Sequence, residues 1–266
     1  SSVFHQFRID HILGFYRIYS FPWHPSRNAE FLPLDAEKAA KMAQGRRPGF
    51  FPREDDTMVH KAQNLLDGDK YIRAVIDAAE GAEVIGEDLG MVPEYVRPHL
   101  FELGVAGFKI CQWELDARGK VIPAEDHPEC SFACYSTHDT APLKKLWEEA
   151  RSEADSGPKK REGERKLKVL SQFAGLPVPR RGKQYPAYSH KLKQVLLDAL
   201  LRTGSRYAAI QINELVDSAS QINFPGTVGD QNWTYRVSWE FCTIPKAVEK
   251  EMKRLQRLIV KHGRCC

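Results

Sequence analysis

No apolar run in this 266-residue sequence approaches the roughly 18 to 20 residues needed to cross a bilayer, which excludes a transmembrane helix of the usual kind. No basic, then apolar, then small-residue segment opens the chain, so no secretory leader is legible and the expected compartment is the cytoplasm. One-sided charge is missing too. The 39 Lys and Arg interleave with 35 Asp and Glu, and a net charge of +4 offers nucleic acid no basic face. Cysteine is scarce for a stapled scaffold: Cys111, Cys130, Cys134, Cys242, Cys265 and Cys266 lie in a chain large and apolar enough to bury a core without disulfides. Reduced thiols are expected, with Cys265-Cys266 a frayed tail. An initiator Met is also absent, and Ser1-Ser2 leads at once into an apolar segment, as expected of a processed or truncated chain. What remains, 42% hydrophobic and 28% charged positions, describes a globular chain and excludes disorder and a coiled coil.

Short β-like runs alternate with helical periodicity. Strands are predicted over Val3 to Ile9, Glu83 to Gly86, Gly107 to Gln112, Phe132 to Ser136 and Tyr207 to Ile212. Apolar faces at helical spacing follow them: Tyr71 to Ala79, Tyr95 to Leu103 with Gly104 as its stop, Leu143 to Ala150, and Leu192 to Leu200. A last one, Val248 to Ile259, is expected to be opened by Thr243 as cap and Pro245. This βαβα order predicts an α/β fold with a parallel sheet or barrel. Between about residues 21 and 69, Pro22, Pro25, Pro33, Pro48, Pro52, Gly45 and Gly49 predict a long insertion, mostly loop, with a short helix at Asp35 to Gln44. From Glu153 to Lys168, ten of sixteen residues are charged, as on a solvated helix or surface excursion.

Three predicted strands end on an acid: Asp10, Glu87 and Asp139. Acids at such positions often cap the following helix. Three on one rim are harder to explain so, because the C-terminal ends of parallel strands build the active sites of α/β barrels. Arg8, two residues before Asp10, shares its strand face and can hold that carboxylate ionised; His138 adds a donor beside Asp139. One acid kept charged and another kept protonated is what breaking a glycosidic bond requires. The same acids with His138 would also suit Mg²⁺ or Mn²⁺, and spacing alone does not separate the two chemistries. His127, Cys130, Cys134 and His138 fall at spacings a zinc site uses. Against that, Cys130 and Cys134 read as ordinary apolar-leaning residues about a buried strand. Trp113, Trp147, Trp233 and Trp239 are candidate sugar platforms, with core packing the expected role of each.

The motifs resemble glycoside hydrolase family 77, the 4-α-glucanotransferases or amylomaltases. Arg8-Ile-Asp-His-Ile-Leu-Gly14 is similar to the family's nucleophile motif, and Gly86-Glu-Asp-Leu-Gly90, followed by Val92-Pro-Glu-Tyr-Val96, to its acid/base motif. Thr137-His-Asp139 resembles its third-carboxylate motif, and Asn223-Phe-Pro-Gly-Thr-Val-Gly-Asp-Gln-Asn-Trp233 its C-terminal signature. Two departures stand out: Ile12-Leu13-Gly14 where the family often has Phe-Arg-Gly, and Gln221-Ile-Asn223 where it often has Arg-Met-Asn.

The resemblance implies an α-amylase-type TIM (β/α)8 barrel and transfer of α-1,4-glucan segments from a maltooligosaccharide, starch or glycogen donor to a sugar 4-hydroxyl. Asp10 would be the nucleophile, Glu87 the general acid and base, and Asp139 the stabiliser of the oxocarbenium-like transition state. Arg8, His138 and Asn223 would bind substrate around them. No cofactor and no metal are implied, and neither nucleic acid nor membrane is an expected partner. A complete barrel occupies about 250 residues, yet the nucleophile motif, which the family places at the end of its fourth strand, is finished by residue 10. The chain is therefore expected to be one partial catalytic domain over residues 1–266, about strands 4 to 8, lacking the N-terminal half of its barrel. An α-glucan hydrolase with the same acids and a catalytically silent glucan-binding fragment are the alternatives.

Overall fold

The computed structural model describes residues 3–180, 183–240 and 243–264; Cys242, Cys265 and Cys266, and with them the expected frayed tail, lie outside the described residues. The chain divides into two units, Ser1–Phe108 and Lys109–Cys266.

In the first unit, β1 (Gln6–Ile9) precedes the short antiparallel pair β2 (Ile18–Ser20) and β3 (Gly49–Phe51), followed by β4 (Glu83–Gly86) and β5 (Ala106–Ile110). β1 pairs with β4 in parallel, Gln6 opposite Glu83 and Ile9 opposite Gly86; β4 pairs with β5 in parallel, Ile85 opposite Ala106. The helices are α1 (Asn28–Phe31), α2 (Ala36–Met42), α3 (Met58–Ala78) and α4 (Val96–Glu102). Ile12, Leu13, Tyr16, Ile72, Val84, Val96, Leu100 and Val105 form its core.

The stretch 21–69 is more structured than its prolines predict. α2 stands where a short helix is expected, capped by Asp35, whose carboxylate accepts the Lys38 N–H at 2.8 Å. α3 begins at Met58 under a Thr57 cap, thirteen residues before the apolar periodicity that reveals it. Its early turns bury Asn64 and Gly68, which carry no apolar signal. Asn64 donates to Asp55 at 2.9 Å, and Asp55 also takes Arg17 at 2.7 Å and the Tyr95 hydroxyl at 3.0 Å. Burial, then Asp55, pushes that hydroxyl's pKa up to about 12. Gly68 lies flat against the Tyr16 ring, where a Cβ would penetrate it.

The second unit holds β6 (Ser131–Cys134) and β7 (Tyr207–Ala208), again parallel, with Phe132 opposite Tyr207. Around them lie α5 (Leu143–Asp155), α6 (Lys160–Phe173), α7 (His190–Leu201), α8 (Ile212–Leu215) and α9 (Lys246–Lys261). Trp147, Tyr135, Leu143, Leu167, Leu170, Leu196 and Leu200 are its buried centre. The charged run belongs to the end of α5 and the start of α6. Gly163 lets α6 meet the Ala150 carbonyl of α5, and Lys166 reaches Glu153 at 2.9 Å and Glu162 at 3.2 Å on the wet side.

Several boundaries differ from the sequence reading: β1 begins at Gln6 where Val3 is expected, and β5 and β6 end at Ile110 and Cys134 where Gln112 and Ser136 are expected. The strand expected to reach Ile212 ends at Ala208, because Gln211 and Glu214 cap each other reciprocally and start α8 there. The residue in the cap position of α9 is Pro245, whose missing N–H suits a helix start, and Thr243 lies two residues before it. Fully buried Lys193 of α7 directs its ammonium to the Leu215 carbonyl and Asp217, each at 2.9 Å, and to Glu251 of α9 at 3.4 Å. The parallel pairing of every strand except β2 and β3 makes the fold α/β, and among the described residues no helix is long and apolar enough to cross a membrane.

Gly68→Ala tests the packing of α3. In a free helix Ala is favoured over Gly by about 1 kcal/mol. Here the fixed Tyr16 ring reverses the sign, and a loss of about 1–3 kcal/mol is expected as a lower urea midpoint at unchanged slope. A higher midpoint would show that the ring can shift.

Candidate active site

The residues selected from sequence fall into two groups, one in each unit. In the first, the β1–β4 register puts Asp10 and Glu87 immediately beyond the paired Ile9 and Gly86, side by side at two adjacent strand ends. Arg8 Nη2 meets Asp10 Oδ1 at 2.7 Å, and the Asp10 side chain is 74% exposed, which leaves Oδ2 open to a reactant. Arg8 also lies over the Phe108 ring, 5.5 Å from its centroid, which fixes the direction of its guanidinium. Glu87 is tied down by backbone: Oε2 accepts the His11 N–H at 2.8 Å and Oε1 the Leu89 N–H at 3.0 Å. His11 presents that N–H from a left-handed backbone (φ 44°), costly for a residue with a Cβ, and it starts the short helix that buries Ile12 and Leu13. Asp88, on the opposite strand face, is buried and joins the Phe108 N–H at 2.6 Å to Arg97 at 2.9 Å.

In the second unit, His138 and Asp139 lie just past β6. His138 Nε2 approaches Asp139 Oδ2 at 3.2 Å, and Asn223 Nδ2 donates to Asp139 Oδ1 at 2.6 Å. The Asn223 N–H also donates to the His138 carbonyl at 2.9 Å. Asn223 thus holds the acid from the side as well as standing beside it. Gln221, one of the departures noted in the sequence, donates to the Asp139 carbonyl at 3.1 Å and the Asn223 carbonyl at 2.8 Å. The loop after it is bonded to itself: Asn232 accepts from the Phe224 N–H at 2.9 Å and donates to the Thr227 carbonyl at 3.1 Å.

The tryptophans divide. Trp147 is a core residue, fully buried with its N–H on the Pro186 carbonyl at 2.9 Å. Trp113 and Trp233 are 54% and 60% exposed, against the expectation of core packing; Trp113 lies in the turn after β5 and Trp233 in the loop between α8 and α9. The Trp233 ring sits 5.1 Å from that of His138, as a platform beside Asp139.

The four residues with zinc-like spacing scatter. Cys134 is buried on β6, Cys130 is half-buried before it, and His138 serves Asp139; Cys111, Cys130 and Cys134 are thiols. His127 is buried against Phe173 with both ring nitrogens unpartnered. Among the described residues, no three His, Cys, Asp or Glu side chains are arranged to hold a metal ion. Sequence reasoning passed over Ser136, Gln211 and Glu214, which lie beneath the His138–Asp139 segment. The one signal for them was the Gln-x-x-Glu spacing of a capping box.

Residues 1–242 match the family model described as 4-alpha-glucanotransferase. Curated relatives named 4-alpha-glucanotransferase include those of Chlamydia caviae, 29% identical over 87% of this chain, and Chlamydia muridarum, 27% identical over 87%. The match covers 37% of the length of each, so the chain spans little more than a third of these relatives. Among solved structures, the fold is similar to the Streptococcus agalactiae amylomaltase in complex with acarbose (18% identity, TM-score 0.56, 96% of this chain and 41% of that one). It is also similar to the Corynebacterium glutamicum amylomaltase (19%, TM-score 0.59, 97% and 35%).

Burial, then the charge of Lys109, holds the His127 imidazole down to a pKa of about 4. As pH falls from about 6.5, the unfolded chain takes up a proton that the folded chain refuses, so stability drops through that window by up to about 1.4 kcal/mol per pH unit. His127→Phe keeps a ring against Phe173 and removes this contribution. Urea midpoints at pH 4.5, 5.5 and 6.5 should therefore fall less steeply with acid in the variant; equal slopes would contradict a neutral buried imidazole.

Proposed function

The chain belongs to the 4-alpha-glucanotransferase family, and on that premise we propose that it carries the reacting carboxylates of an enzyme that moves α-1,4-glucan segments between sugars. One observation carries the reading: two acids side by side at parallel strand ends, one accessible and paired with an arginine, the other held by backbone N–H groups. The geometry suits a retaining double displacement. Asp10 Oδ2 attacks the anomeric carbon of a maltooligosaccharide or starch-derived donor while Oδ1 stays on Arg8. Glu87 delivers a proton to the departing glycosidic oxygen, and a covalent glucosyl ester forms on Asp10. Glu87 then removes the proton from the 4-hydroxyl of an acceptor sugar, whose oxygen displaces Asp10. Two inversions leave the α configuration unchanged.

Asp139, with one oxygen on Asn223 and one on His138, is suited to grip sugar hydroxyls and to offset the positive charge that develops on the ring. Trp233 offers an apolar face to a pyranose. The parallel strands, the amylomaltase-like fold and the share of its relatives that the chain spans support reading it as roughly the fourth to eighth strands of a (β/α)8 barrel. The whole enzyme would act on soluble glucans in the cytoplasm, without nucleic acid or membrane as partner.

The test is glucose release from maltotriose, by this chain and by a form extended to the length of its relatives. Glu87→Gln is expected to lower transfer by about 10² to 10⁴-fold with an unchanged melting transition. Parental turnover in that variant removes Glu87 from the reaction. Reducing ends that accumulate in step with glucose would identify a hydrolase instead.

A further inference from the structure

The segment that carries His138 and Asp139 is braced from beneath by a carboxyl group outside every motif of the sequence. Glu214, on α8, is fully buried. Ser136 Oγ donates to Glu214 Oε1, and the Gln211 N–H donates to Oε2 at 3.2 Å. The Gln211 side-chain amide in turn donates to Ser136 Oγ and to the Thr137 carbonyl, the latter at 2.9 Å. The brace continues upward, since Thr137 N–H reaches Thr140 Oγ1 at 2.8 Å and Asp139 N–H reaches Thr137 Oγ1 at 3.3 Å.

We propose that Glu214 is a positioning residue for Asp139, acting through Ser136 and Gln211 to set the direction in which the acid leaves the end of β6. The inference rests on the role given to Asp139 above. A helix cap at this place needs only a short polar side chain at the surface. A buried carboxyl is far costlier and is retained where its bonds hold something in place. Both its oxygens are engaged, by Ser136 on the strand-end segment and by Gln211, the residue that clamps it.

The brace depends on the proton. Burial pushes the Glu214 carboxyl up to a pKa of about 7, against the opposing pull of Ser136 and the N–H groups of Gln211 and Leu143. The titratable groups that face it are the Cys111 thiol and the Tyr135 and Tyr188 hydroxyls, from the turn after β5, the end of β6 and the approach to α7; burial keeps all three neutral. A charge formed on Glu214 above neutrality finds no cation among them, so the brace loosens as pH rises.

Glu214→Gln copies the protonated acid and Glu214→Leu removes its bonds. Amide hydrogen exchange, corrected for intrinsic rates and followed from pH 6 to 8, should show protection of Thr137–Thr140 falling about tenfold in the parent chain, staying level in the Gln variant, and low throughout in the Leu variant. Protection of α7 should be the same in all three. In maltotriose transfer by the form extended to the length of its relatives, Glu214→Leu should lower kcat about 10²-fold with KM within about twofold, and Glu214→Gln should keep the parental rate at pH 6 and lose the decline above pH 7. Unchanged exchange at Thr137–Thr140 in the Leu variant, or a loss spread evenly over the second unit, overturns the proposal. Exchange as expected with no transfer by the form extended to the length of its relatives supports the brace and overturns the function reading.

Discussion

The bond from the His11 N–H to the Glu87 carboxylate is the constraint on which the arrangement of the first unit's two strand-end acids rests. Parallel pairing of β1 with β4 already brings the two strand ends level. Register alone, however, leaves a long glutamate side chain free to swing. The left-handed turn at His11 aims a backbone donor at it, and the burial of Ile12, Leu13 and Tyr16 keeps that turn in place. The packing of Tyr16 on Gly68 is thus linked to the position of an acid through one rigid stretch of chain. Asp10 needs no such tether, because Arg8 on the same strand supplies it over a fixed aromatic face.

Much of this was legible from residue order. β4 falls on Glu83–Gly86 as the apolar run predicts, and Asp10 and Glu87 directly follow β1 and β4, whereas Asp139 lies in the turn beyond the end of β6 at Cys134. What escaped has a common cause: burial bought by hydrogen bonds leaves no hydrophobic trace. The first turns of α3 are hidden because Asn64 and Gly68 face inward, one satisfied by Asp55 and the other fitted to a ring. Glu214 reads as a surface residue, yet it is fully buried because Ser136 and Gln211 receive it. Trp113 and Trp233 err the other way, since large rings are expected inside unless a loop holds them out.

The two departures from the family's usual wording acquire a physical sense. Ile12-Leu13-Gly14 supplies two buried side chains to the core beneath the nucleophile motif, where a charged residue in their place would need a partner. Gln221 contributes two carbonyl-directed bonds that hold the backbone on either side of Asn223 and Asp139. Neither substitution touches a carboxylate, and both serve the segments that carry one.

Asp139 has a neutral amide donor on one oxygen and an imidazole on the other. Its dielectric surroundings are therefore already arranged around a negative charge before any sugar arrives. Donors in solvent would have to rotate as a ring oxygen acquires positive character, whereas these stay fixed throughout. On the role proposed for Asp139, the reorganisation part of the activation barrier at this group would be small for that reason.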